Sequence, residues 1–83
     1  MNQKELNKII GTNIKKYRNQ YSKNNNVKLT QEKLAELINV SVSLISNIES
    51  NKSSQGISIT NLYKISIVLN TPINKFFEVN NDK

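Results

Sequence analysis

Only Gly11, Gly56 and Pro72 supply this chain with the two residues that most readily turn or break a backbone. No run alternates Val, Thr or Tyr with polar residues either. An all-β fold needs both features, so the chain is expected to be all-α, with helices joined by brief connections. Its apolar residues recur accordingly. Leu6, Ile10, Ile14, Tyr17 and Tyr21 fall at spacings of 4, 4, 3 and 4, which draws one stripe along a helix. Asn2 followed by Glu5 has the form of a capping box. The first helix is therefore predicted over residues 3–21, stopping before the polar run Ser22-Lys23-Asn24-Asn25-Asn26.

The other helices announce themselves by their caps. Thr30 is a good N-cap, and Glu32 behind it suits the positive end of a helix dipole. Leu34, Leu37 and Ile38 are expected to form the inner face of this second helix, with Ala35 as a small spot. It is predicted to end near Asn39, which tolerates a left-handed conformation. Ser41 opens a third helix whose inner face is Leu44, Ile45 and Ile48, and Asn51 is expected to close it. Val42, Ser43, Ser46, Asn47 and Ser50 lie on the other side. That outer face carries no charge, which is unusual for a helix in water. Ser58 begins a fourth helix with a stripe of Leu62, Ile65, Ser66 and Leu69. Thr71-Pro72 reads as N-cap and first-turn proline of a short fifth helix through Ile73, Phe76 and Phe77. One domain is expected over residues 1–83, with its core at about 3–79 and a frayed tail at 80–83.

Composition narrows the function. The 83 residues contain no Cys and no His, so thiolate chemistry, disulfides and the commonest general base and metal ligand are all missing. Six carboxylates are scattered along the chain with no cluster and no glycine-rich phosphate loop. An enzyme is therefore not expected, and no cofactor or metal is implied. Twelve Lys and Arg against six Asp and Glu leave a charge of +6. A small domain with that balance is expected to meet a polyanion. Eleven of the twelve cations are Lys, which marks Arg18 for a task that needs fixed two-pronged geometry. The start has no apolar signal-peptide region, and Ile65 to Leu69 is too short to span a bilayer. A soluble, cytoplasmic protein is expected.

Only Asn39-Val40-Ser41 separates the second and third helices, a spacing that fits a helix-turn-helix. The stretch from Thr30 to Glu49 resembles the helix-turn-helix of the lambdoid phage repressor and Cro family, also known by the Xre regulator. The run Thr30-Gln31-Glu32-Lys33-Leu34-Ala35, the Val40-Ser41 turn, Ile45-Ser46-Asn47-Ile48-Glu49 and the later Thr71-Pro72-Ile73-Asn74-Lys75-Phe76-Phe77 all fall at the family's spacing. The resemblance covers roughly residues 10–77. It departs from the family at Asn39 and Asn51, where Gly is common, and in a longer connection around residues 22–28.

The resemblance implies a compact five-helix, lambda-repressor-like fold that binds double-stranded DNA. Val42, Ser43, Ser46 and Asn47 would then point into the major groove. Asn47 can pair with adenine, Ser can bond either way, and Val42 can touch a thymine methyl. Gln31 and Ser41, at helix N-termini, would meet backbone phosphates, as would Ser50, Lys52 and Lys28. Arg18 would pair with Glu49 and tie the first helix to the end of the third. Phe77 and Val79 have two readings: they close the core of one protomer, or they form an apolar patch that pairs with a second copy. The resemblance favours a homodimer, with Ile57 joining the patch.

Two functions compete at this point. The first is a sequence-specific transcriptional regulator, a homodimeric repressor on a palindromic operator, resembling restriction–modification controller proteins and small phage repressors. The second is an antitoxin or antirepressor that uses the same fold to bind a protein partner. The second predicts that the tail or the long loop, rather than the third helix, carries the binding energy.

Overall fold

The computed structural model describes residues 1–52 and 56–79; the expected fraying of residues 80–83 lies outside them. The described residues hold helices α1 (Gln3–Asn24), α2 (Gln31–Ile38), α3 (Val42–Glu49) and α4 (Ile59–Val68), then a 3-10 helix (Ile73–Phe77), and no strand. None of these helices is long and apolar enough to cross a membrane.

Each α-helix starts on a side chain that accepts from an orphan amide. Asn2 Oδ1 accepts from Glu5 N–H at 2.8 Å while Glu5 Oε1 accepts from Asn2 N–H at 3.0 Å, completing the capping box. The Thr30, Ser41 and Ser58 hydroxyls accept from the amides of Lys33, Leu44 and Asn61 at 3.0, 3.2 and 3.1 Å. Each α-helix also ends the same way. Asn26, Asn39, Asn51 and Asn70 stand at φ of 53°, 63°, 67° and 52°. The amide after each reaches back five residues: Val27 to Ser22 O, Val40 to Ala35 O, Lys52 to Asn47 O and Thr71 to Ser66 O, at 2.8–3.1 Å. These are Schellman closures in which asparagine replaces the usual glycine.

Two expectations change here. α1 does not stop before the Asn run but continues to Asn24. The Ser22 hydroxyl explains it, since it donates to Arg18 O within the helix and accepts from Leu29 N–H on the returning chain. That double contact fixes the added turn, and Asn26 then reverses the backbone. Three of the seven residues 22–28 are thus helix rather than loop. The last helix is of the 3-10 type, and Thr71 does not cap it: its hydroxyl donates to Leu69 O instead.

The core gathers Ile10 and Ile14 of α1, Leu29, Leu34, Ala35 and Ile38 of α2 and its approach, Ile45 and Ile48 of α3, Leu62, Ile65 and Leu69 of α4 and its end, and Phe76. Tyr17 meets Phe76 edge-on, with ring centroids 5.6 Å apart. Leu37, expected to face inward, is instead half exposed at 51%. Leu34, Ala35 and Ile38 define the buried face of α2, and Leu37 lies about 100° round the helix from its centre. α1 lies so close to the end of α3 that a β-carbon on Gly11 would collide with the Ile48 carbonyl oxygen.

Asn13 is fully buried in α1 and is absent from the apolar stripe read in the sequence. Its Nδ2 donates to Phe76 O at 2.8 Å and to Glu78 O at 2.9 Å, which clasps the 3-10 helix to α1. Its position, one turn after Ile10 and one before Tyr17, was a usable signal, but a single Asn in an Asn-rich chain does not advertise itself.

Candidate nucleic-acid interface

The geometry of α2 and α3 is set by one buried carboxylate. Glu49 Oε2 accepts from Arg18 Nε at 2.8 Å and its Oε1 accepts from Arg18 Nη2 at 2.9 Å, so the pair is bidentate. The side chains are 11% and 1% exposed. A third guanidinium donor, Nη1, reaches Leu29 O at 2.8 Å. Gln31, the first residue of α2, adds a donor from Nε2 to Glu49 Oε1 at 2.9 Å. One carboxylate therefore joins α1, the start of α2 and the end of α3. A lysine at position 18 could not make the forked contact and reach Leu29 as well.

This network changes the view of Gln31, whose side-chain amide turns inward to Glu49. The second proton on Nε2 is not needed there, since an amide nitrogen carries two. The remaining residues expected at phosphates sit as follows. Ser41 accepts from Leu44 N–H, leaving its own hydroxyl proton to donate outward. The Ser50 hydroxyl donates to Ser46 O at 2.8 Å, within its own helix. Lys28 and Lys52 are exposed, the first ahead of α2 and the second just past α3.

The outer face of α3 presents Val42, Ser43 and Asn47 to solvent, with Ser46 half-buried among them. Val42 keeps 41% of its surface exposed, an apolar side chain held out on a face without charge. The short Asn39-Val40-Ser41 link fixes α3 against α2, and the Lys52 N–H to Asn47 O bond at 2.8 Å closes its far end. These four side chains can therefore be offered together, on a rigid ridge, to the edges of stacked bases.

The residues expected at a dimer contact divide. Phe77 and Val79 are exposed at 41% and 57%. Ile57 is half-buried and packs against the core. Ile59, Tyr63 and Ile67, which no stripe in the sequence sets apart, recur every fourth residue on α4 and are 67%, 58% and 61% exposed.

A family model described as helix-turn-helix matches residues 14–76. No curated protein matches the chain.

Proposed function

From the premise that the chain belongs to the helix-turn-helix family of DNA-binding transcription regulators, of the Xre and lambdoid-repressor type, we propose that it is a homodimeric repressor that reads a palindromic operator through the major groove. α3 enters the groove with Val42, Ser43, Ser46 and Asn47 toward the bases. Lys28, Lys52, the Ser41 hydroxyl and the second amide proton of Gln31 hold the flanking phosphates, and Ser50 joins them by turning its hydroxyl proton away from Ser46 O. The observation that carries this reading is the exposed, uncharged face of α3, braced from behind by the Arg18–Glu49–Gln31 network. A protomer measuring 35 × 30 × 19 Å suits one half-site, because two recognition helices in such a dimer lie about 34 Å apart. The exposed Phe77 and Val79 support a partner surface for the second copy.

The test is selection of bound sequences from a random double-stranded pool. A palindromic motif with fixed half-site spacing is expected. Enrichment of an unspaced single half-site would overturn the dimer, and no enrichment at all would overturn the sequence-specific reading. A second reading, an antitoxin or antirepressor that binds a protein, draws on the apolar stripe of Ile59, Tyr63 and Ile67. It expects changes on α4 or the tail to abolish function while changes at Ser43 and Asn47 leave it intact.

A further inference from the structure

An open cleft separates the start of α1 from the end of α3. Gln3, Lys4, Glu5, Asn7 and Lys8 line one wall, and Asn51 and Lys52 line the other. Lys4 and Lys8 are one turn apart, and both lie outside the stretch that matches the helix-turn-helix family. We propose that Lys4 and Lys8, together with Lys52, form a second phosphate-binding surface that extends the DNA backbone contact from α3 onto α1. The inference rests on the DNA-binding reading above and adds to it a part of the footprint that no family motif covers.

Three observations carry it. First, positive charge is in excess and these lysines are in no ion pair among the described residues. The ion pairs among the described residues are Arg18–Glu49, Lys33–Glu36 and Lys75–Glu78, and none involves these lysines. Glu5, the one carboxylate lining the cleft, keeps its charge while accepting from the Asn2 amide, so three lysines against one carboxylate leave the lining at +2. Second, the charge is placed against the interest of the fold. Lys4 stands in the first turn of α1, where the helix dipole is positive and a cation is disfavoured. A polyanion across the cleft reverses that sign. Third, the cleft adjoins the C-terminal end of α3, because Asn51 and Lys52, which follow that helix, line it. A phosphate strand leaving the end of α3 past Lys52 would have Lys4 and Lys8 on the facing wall. The amides of Gln3 and Asn51 supply neutral donors beside them.

Counterion release makes the proposal measurable. Each lysine–phosphate contact adds about 0.9 to the slope of log affinity against log salt on B-DNA. The double variant Lys4→Gln/Lys8→Gln is expected to flatten that slope by about 1.8, on selected operator and random duplex alike. Lys64→Gln/Lys75→Gln removes the same charge from α4 and the 3-10 helix, off the cleft, and is expected to leave the slope in place. All the substituted side chains are exposed, and thermal melting verifies the fold. An unchanged slope for the first variant, with the unaltered protein binding DNA normally, overturns the cleft alone. Equal flattening by both variants also overturns it, since overall charge would then be the cause. Failure of the unaltered protein to bind any duplex overturns the functional reading and this surface with it.

Discussion

Arg18 was conspicuous in the sequence as the single guanidinium among lysines, and its forked contact with Glu49 explains why no lysine replaces it. Removing it strands a carboxylate that is 1% exposed, with Gln31 as its remaining side-chain donor. Arg18→Met is therefore expected to cost about 3–5 kcal/mol, read as a clear fall in melting temperature. Adding Glu49→Met should recover much of the loss, because the isolated charge then disappears. An unchanged melting curve for Arg18→Met would sink the account. Asn47 makes the opposite case. Its exposed amide contributes nothing visible to the fold, so its cost should appear on DNA alone. Asn47→Ala is expected to lose about 1–3 kcal/mol on the selected operator, with the salt slope unchanged and random duplex barely affected. Lys52→Ala should weaken both DNAs about equally and flatten the slope by roughly 0.9. Titration of both variants at several salt concentrations separates base reading from charge. The inward turn of Gln31 was not legible, because a residue at a helix start can face either a phosphate or its own protein.

At the scale of the helices, nearly every beginning was legible and the endings less so. N-caps stand out because Thr30, Ser41 and Ser58 each precede an apolar pattern. Asn39 and Asn51 could be read as stops for the same reason, from the pattern failing after them. Asn26 lay in a polar run that offered no pattern to fail, so the extra turn of α1 went unread; only the long-range Ser22–Leu29 contact decides it. Asn tolerates positive φ but keeps a β-carbon, which costs an L-residue about 1–2 kcal/mol that glycine avoids. Asn39→Gly is expected to stabilise by up to about 1 kcal/mol after the added freedom of the unfolded chain is counted. That would raise the melting temperature of a domain this size by about 4–8 °C at most; a decrease would show that the Asn39 side chain holds the turn in some other way. Gly11→Ala should act in the opposite direction. Its new methyl group meets backbone oxygen rather than a flexible side chain, so α1 and α3 must part, at about 1–3 kcal/mol by thermal melting. Loss of operator affinity should accompany it, because the displaced turn ends beside Asn47.

At the scale of the whole molecule, the exposed apolar surface was only half legible. Phe77 and Val79 stood out because they follow the last core position. Ile59, Tyr63 and Ile67 did not, since α4 is apolar on most of its circumference and periodicity then fails to separate its inside from its outside. Leu62, Ile65 and Leu69 are buried by the neighbours they meet, a fact of packing rather than of spacing. Phe77→Ala is expected to weaken self-association and operator affinity together, since the second half-site contact becomes intramolecular only in the dimer. Sedimentation that finds only monomer for the unaltered protein at micromolar concentration would count against the dimer itself.

The Asn13 clasp has a consequence in time. Its two hydrogen bonds span 63 and 65 residues of sequence, the widest separations among the hydrogen bonds described above. Closing so long a loop is slow to be rewarded, whereas α2 and α3 can dock across a three-residue link. The clasp should therefore form after the rate-limiting barrier has been crossed. Asn13→Ala then speeds unfolding in denaturant while leaving the refolding rate nearly unchanged. A slowed refolding limb would place the clasp in the nucleus instead. In the first case, the polar residue at the centre of α1 acts as a latch, setting how long the finished domain stays shut rather than how quickly it closes.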